Sequence, residues 1–248
     1  MTSDPKDTLF KKPIEHISKF SFDDSVAPVF TDMINRSVPG YAAIIELLGT
    51  ITHCFARTDH RYYDLGCSLG TSMLAMGQRL NKRNATVIGI DNSMAMLKKA
   101  QPIIEGSKQY KNTAPKYQLI CADITDIQIQ KAAMVVMNFT LQFVPIVQRE
   151  ELIKNIYDGL TSGGACIISE KIKLESAHAQ NLMTEIHHQF KADQGYSSLE
   201  ISQKRDAIEH VLLAEPLAVH LSRLEEAGFS TVIPWFQNFQ FISILAVK

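Results

Sequence analysis

The feature that most constrains this chain is the regular alternation, between Arg61 and Glu170, of short apolar runs with longer stretches of helical periodicity. Strand, helix and strand in succession build a parallel sheet covered on both faces. The runs predict strands at Arg61–Asp64, Thr86–Asp91, Tyr117–Cys121, Met134–Asn138 and Ala165–Glu170. Helices are predicted between them over Thr71–Leu80, Ser93–Glu105 and Ile146–Leu160. Pro102 should kink or shorten the second of these, and Ser162-Gly163-Gly164 should stop the third. After Glu170 the rhythm breaks, and two polar helices, Ser176–Ala192 and Ser198–Leu213, are expected as an insertion and candidate lid. A last helix, Leu217–Ala227, stops at Gly228, and strands follow at Thr231–Phe236 and Phe241–Val247. Only Gln237 to Gln240 separate these two strands, so they must pair antiparallel, because a parallel pair needs a crossover of a dozen or more residues. The expected class is therefore α/β, a mostly parallel seven-stranded sheet with a C-terminal antiparallel hairpin.

Residues 1–60 are expected to form an N-terminal helical extension, with helices from Pro28 to Ser37 and from Tyr41 to Phe55, ahead of a core domain at 61–248 that carries the insertion at about 175–213. A chain of 248 residues suits one core with insertions better than two independent ones. The 25 basic and 26 acidic side chains leave a net charge of −1, so no global field draws the chain to a polyanion, and direct nucleic-acid binding is not expected. No window approaches the ~18 consecutive apolar residues of a spanning helix. The four cysteines lack C-x-x-C spacing and read as free thiols of a reducing compartment. With the polar start of the chain, this makes the cytoplasm the expected location. No metal site is expected. His187 and His188 point about 100° apart on a helix and read as a solvated face.

In an open parallel sheet, ligands bind beyond the carboxyl ends of the strands, so the residues where strands give way to loops matter most. Strand one ends in Asp64, and Gly66-Cys67-Ser68-Leu69-Gly70 turns tightly into a helix. Gly66 and Gly70 let backbone approach a ligand, and the N–H groups at the helix start attract an anion such as a carboxylate. Cys67 sits at that helix N-terminus, a place where a thiol's pKa can be lowered, but no nucleophilic role is assigned to it. Strand two ends in Asp91-Asn92, suited to a ribose diol, and strand three in Asp123-Ile124, suited to an adenine amino group and ring nitrogen. Strand four ends in Asn138. Each has a purely structural explanation: a tight turn, an N-cap, a turn aspartate, a satisfied amide. A glycine loop followed by polar residues at three further strand ends fits a nucleoside ligand better. The dinucleotide fingerprint G-x-G-x-x-G is absent, since Ser68 and Thr71 occupy its second and third glycine positions.

Tyr63-Asp64-Leu65-Gly66-x-x-x-Gly70 resembles the first motif of the class I S-adenosylmethionine-dependent methyltransferases, which implies a Rossmann-like fold and S-adenosyl-L-methionine as ligand. Ser68 departs from the glycine usual there. The strings Asp7-Thr8-Leu9-Phe10, Asp32-Met33-Ile34, Arg36-Ser37-Val38-Pro39-Gly40-Tyr41, Asp64-Leu65-Gly66-Cys67-Ser68, Met137-Asn138-Phe139-Thr140-Leu141-Gln142-Phe143 and Leu199-Glu200-Ile201-Ser202-Gln203-Lys204-Arg205 resemble a narrower family, the carboxy-S-adenosyl-L-methionine synthases, and include Ser68. That resemblance implies that Tyr41, Gly66, Cys67, Ser68, Asp91, Asn92, Asp123, Ile124 and Asn138 hold the adenosylmethionine body, and that Arg205 holds the added carboxylate. It implies prephenate as second substrate. Prephenate would lose carbon dioxide and hydroxide as it aromatises to phenylpyruvate, and the sulfonium methyl group, once deprotonated, would capture the carbon dioxide. It further implies a closed site, a homodimer, and a tRNA carboxymethyltransferase that uses the product on wobble uridine. The spacing of Arg205 by itself suits a surface pair with Glu209. Arg36 and Tyr196 are weaker candidates for the prephenate side, with packing the favoured role, and Trp235, Phe236, Phe239 and Phe241 read as hairpin core. A conventional methyltransferase and a non-catalytic adenosylmethionine-binding subunit remain the alternatives.

Overall fold

A computed structural model describes residues 5–81, 83–108 and 115–248. The elements run α1 (Phe30–Ser37), α2 (Tyr41–Cys54), β1 (Arg61–Leu65), α3 (Thr71–Gly77), β2 (Thr86–Asp91), α4 (Met94–Lys108), β3 (Lys116–Cys121), β4 (Ala132–Asn138), α5 (Ile146–Gly159), β5 (Leu160–Lys171), α6 (Ala177–Asp193), α7 (Ser198–Ile208), α8 (Leu217–Ala227), β6 (Thr231–Asn238) and β7 (Phe241–Val247). The seven strands form one sheet in the order β3-β2-β1-β4-β5-β7-β6. Pairing is parallel from β3 to β5, and β7 runs antiparallel to both neighbours. The order reverses between β1 and β4. The helices that follow them, α3 and α5, pack on opposite faces of the sheet, which leaves a crevice at the carboxyl edge.

Central strands buried on both faces need uninterrupted apolar sequence, and Ala132 to Met137 of β4 are fully buried. One face packs against α5 through Leu152, Ile153 and Ile156, and the other against α2, α3 and α4 through Leu48, Met73, Met76, Leu97 and Ala100. This two-sided core holds the strand ends, and so the crevice, in fixed register.

Several boundaries differ from the sequence expectation. The chain passes from α5 directly into β5 at Leu160, which pairs with Ala132, so Ser162-Gly163-Gly164 lies within a strand and does not cap the helix. At Gly159 the helix packs so closely that a Cβ would lie 2.3 Å from the Ile129 carbonyl oxygen. Helix α4 continues through Pro102 to Lys108, so the proline does not shorten it. Helix α7 ends at Ile208, five residues earlier than expected, because the following chain is pulled onto the core: the Leu213 N–H donates to the Gln142 carbonyl at 2.8 Å. The Leu213 carbonyl accepts from the Arg149 guanidinium at 2.9 Å. Arg149 is fully buried and also meets Glu215 at 2.5 Å, with Arg223 on the other Glu215 oxygen at 2.7 Å.

The N-terminal segment and the inserted helices clasp each other. Arg36 stacks 3.8 Å above the Tyr196 ring, pairs with Asp32 at 2.7 Å and donates to the Asp7 carbonyl at 2.9 Å. The Tyr196 hydroxyl donates to Asp7 at 2.6 Å, and the Gln203 amide to the Phe10 and Lys12 carbonyls at 2.9 Å each. Both groups of elements thereby roof the crevice.

Candidate active site

The crevice closes into a cavity of about 750 Å³, within the range of small-molecule sites. Its floor is the loop after β1. Gly66 and Gly70 sit at φ +77° and +81°, where glycine carries no Cβ penalty. A Cβ on Gly66 would lie 2.4 Å from the Thr140 side chain, so the loops after β1 and β4 touch across the reversal point. Ser68 holds the same left-handed region, at φ +46°, without being glycine. Its backbone N–H donates to Asp91 Oδ2 at 2.8 Å, and the Ser93 N–H donates to Asp91 Oδ1 at 2.8 Å. Asp91 thus bridges the glycine loop and the start of α4, and each oxygen keeps a lone pair for a ligand. The N-cap position itself belongs to Ser93, whose hydroxyl accepts from the Met96 N–H.

Asp123 caps a single 3-10 turn after β3, with Oδ1 accepting from the Thr125 N–H and hydroxyl, and Ile124 is buried beside it. Asn138 donates to the Ser72 hydroxyl at 3.3 Å, while its buried Oδ1 has no partner. Gly66, Ser68, Asp91, Asn92, Asp123, Ile124 and Asn138 all line the cavity, so the fold brings together the strand-end residues singled out from sequence. Tyr41 and the buried Cys67 side chain do not line the cavity. Burial and the nearby Asp64 charge raise the Tyr41 pKa to about 12, against a hydrogen bond with Thr71. The Cys67 thiol is driven up, not down, because burial and the carboxylates of Asp64 and Asp91 outweigh any helix-terminus effect. Asp64 lies beneath the loop and is 1% exposed. Neither of its oxygens makes a full hydrogen bond; only the Met73 backbone N–H favours its ionised form, and burial, then repulsion from Asp91, raise its pKa to about 7.

Arg205 does not reach this cavity within its own chain. Its side chain is half exposed and pairs with Asp206 at 3.0 Å, in place of the expected Glu209. On α7 it is Lys204 that turns inward, and one residue further rotates about 100° to the outer face. The solvated reading of His187 is also overturned. His187 is 5% exposed and lines the cavity, its Nε2 lying 2.8 Å from the Ser37 carbonyl. Burial lowers its pKa to about 3, so the ring is neutral and Nε2–H is the donor. Phe241 meets the His187 and Phe139 rings at 5.0 and 6.0 Å and borders the cavity as well as the core.

Sequence reasoning missed Lys171, Lys191 and Lys204, which also line the cavity. Lys171 follows Glu170 at the end of β5, the one parallel strand whose terminus was not read for ligand contacts. Glu170, 1% exposed, accepts from the Leu141 and Gln142 N–H groups at 2.8 and 2.9 Å and fixes the turn after β4. Burial raises its pKa to about 8 despite those donors. Among the described residues, no group of three or more acidic, histidine or cysteine side chains is placed to hold a metal ion, and no helix is long and apolar enough to cross a membrane.

Comparison with known proteins agrees with this geometry. The family profile described as a methyltransferase domain matches residues 63–164. Among solved structures, the fold is similar to magnesium protoporphyrin IX methyltransferase from Synechocystis with bound SAH, at TM-score 0.60 and 14% identity over 87% of each chain. It is likewise similar to a SAM-dependent methyltransferase from Methanosarcina mazei, at TM-score 0.58 and 16% identity over 80% of this chain and 96% of that one. These likenesses establish the class I methyltransferase fold. At the level of sequence, the chain is 46% identical over 243 residues to a carboxy-S-adenosyl-L-methionine synthase of Pseudoalteromonas atlantica, covering 98% of both chains. It is 47% identical over 242 residues to one of a Geobacter species, again covering 98% of both. The chain belongs to the carboxy-S-adenosyl-L-methionine synthase family.

Proposed function

We propose that this chain converts S-adenosyl-L-methionine and prephenate to carboxy-S-adenosyl-L-methionine, phenylpyruvate and water. The observation that carries the reading is a single cavity lined both by the strand-end residues Ser68, Asp91, Asp123 and Asn138 and by three lysines. The orphaned Asn138 Oδ1 and the uncompensated Asp64 carboxylate suit a ligand that is cationic and rich in donors, as adenosylmethionine is. Asp91 would accept from the ribose hydroxyls and Asp123 from the adenine amino group. The sulfonium methyl group supplies the carbon that is carboxylated. The carbon dioxide and hydroxide released as prephenate aromatises balance the added carboxylate and the methyl proton removed. The chain's own part is to hold both substrates together and exclude water, through α6, α7 and the segment Phe20–Asp23 that borders the cavity.

Arg205 is assigned to the new carboxylate. It lies on the outer face of α7, so it would act on the cavity of a second copy in a homodimer, where its planar fork suits bidentate binding. The product would pass to a tRNA carboxymethyltransferase in the cytoplasm, and the chain itself would not bind nucleic acid.

Incubation with both substrates, followed by mass spectrometry, tests the reaction. Carboxylated adenosylmethionine and phenylpyruvate should accumulate together, and unmodified adenosylmethionine alone would refute it. Arg205→Ala should lower retention of the carboxylated ligand at least about tenfold more than that of S-adenosylmethionine. Equal losses would make Arg205 structural.

A further inference from the structure

The lysines that line the cavity pose a problem of charge. Lys171 at the end of β5, Lys191 on α6 and Lys204 on α7 converge on one space beside the neutral His187. Lys204 is compensated: its ammonium lies 3.8 Å from Asp7, donates to the Ser37 hydroxyl at 3.1 Å and faces the Tyr196 ring at 5.6 Å. Lys171 and Lys191 have no hydrogen bond or ion pair from their ammonium groups among the described residues. The acids that line the cavity, Asp23, Asp91 and Asp123, are committed to their own turns, accepting from Ser21 and Ser25, from Ser68 and Ser93, and from Thr125. Burial lowers the pKa of both free lysines, and for Lys191, pulled to about 7, the charges of Lys204 and Lys171 add to the effect. Lys171 and Lys191 are half-buried against the cavity, so their ammonium groups are partly desolvated with no protein counter-charge, and an anion brought by the ligand would supply one.

We infer that Lys171 and Lys191 form a carboxylate-binding subsite of the cavity, taking a small dianionic acid. The inference rests on the proposed reaction for the identity of that acid, prephenate, but not for the existence of the subsite. Lys204 contributes to the field while tying α7 to the N-terminal segment. Two separate cations on different elements suit an acid with two carboxylates better than they suit a phosphate, for which backbone N–H groups at a helix start are the commoner cradle.

Lys171→Met and Lys191→Met test this, because methionine keeps the apolar stem and removes only the charge. Each should raise the prephenate KM by about tenfold to a hundredfold and abolish stabilisation by prephenate in thermal melts, with the S-adenosylmethionine Kd within about twofold. The ligand-free melting temperature should change little, since the two half-buried ammonium groups make no hydrogen bond or ion pair that the variants would lose. An unchanged prephenate response in both variants overturns the assignment, as does a parallel loss of folding and S-adenosylmethionine binding, the mark of structural lysines. If prephenate stabilises the wild type and not the variants while no carboxylated product forms, the proposed reaction fails and the subsite stands. Absence of any wild-type response to prephenate overturns both.

Discussion

Asp64→Asn separates the cost of a buried charge from its use. In the folded chain the Asp64 pKa is raised from 3.8 to about 7, first by burial and second by the Asp91 carboxylate. A raised folded pKa means that, between about pH 4 and pH 7, the native state holds a proton that the unfolded chain has lost, so this residue's contribution falls as pH rises through that window. Three units at 1.36 kcal/mol each bring the loss to about 4 kcal/mol above pH 8, with little difference from the variant near pH 4. Asparagine has nearly the same shape and no charge, so the ligand-free variant should melt on the order of 10 °C higher at pH 8.5 and flatten that limb of the pH profile. The same substitution removes the negative potential beneath the glycine loop, and affinity for S-adenosylmethionine at pH 8 should fall at least about tenfold. Calorimetric melts from pH 5 to 9 and titration with S-adenosylmethionine provide both readings. Parallel pH profiles for the two proteins would refute the argument, since Asp64 would then ionise as freely folded as unfolded. Increased stability with undiminished affinity would show that its charge does not serve the ligand.

Other perturbations probe the site's supports. Gly66→Ala should cost on the order of 2–4 kcal/mol in urea unfolding and lose ligand binding, and adding Thr140→Ala should recover only part, because the clash is relieved and the positive φ is not. Ser68→Gly should stabilise by roughly 0.5–1 kcal/mol with S-adenosylmethionine affinity kept within about twofold, since the bond to Asp91 comes from the backbone. Loss of affinity there would give the hydroxyl a direct role. Arg149→Met should cost about 3–5 kcal/mol in denaturant unfolding, because the Val144 and Leu213 carbonyls and one Glu215 oxygen lose a buried donor together. A cost below 1 kcal/mol would mean that water replaces the guanidinium.

The fold was legible because its signals are local and repeated. Apolar runs of strand length, separated by amphipathic segments, leave few ways to bury every strand, and the four-residue interval before Phe241 required an antiparallel hairpin. Boundaries failed where tertiary contacts override local chemistry. Gly163 and Gly164 look like a helix stop, yet β5 begins before them because Leu160 finds Ala132 across the sheet. Ile208 ends α7 although its sequence permits another turn, because Arg149 and Gln142 capture the chain at Leu213.

The site divides along the same line. Its strand-end residues sit at consecutive strand termini, so a rule about strand ends placed Asp91, Asp123 and Asn138 on the cavity wall with no knowledge of the fold's depth. The lysines come one from a strand and two from separate helices, and charge gives no sign in sequence of which lysines turn inward. Lys204 and Arg205 are neighbours of equal charge, yet one is 7% exposed against Asp7 and the other half exposed. Only the rotation of α7, set by the Gln203 contacts to the N-terminal segment, distinguishes them. Lys171 was within reach, since the strand-end rule that located Asp91 applies equally to β5. Extending that rule to every parallel strand would have singled out Lys171 from sequence, leaving the two helical lysines to be found through the fold.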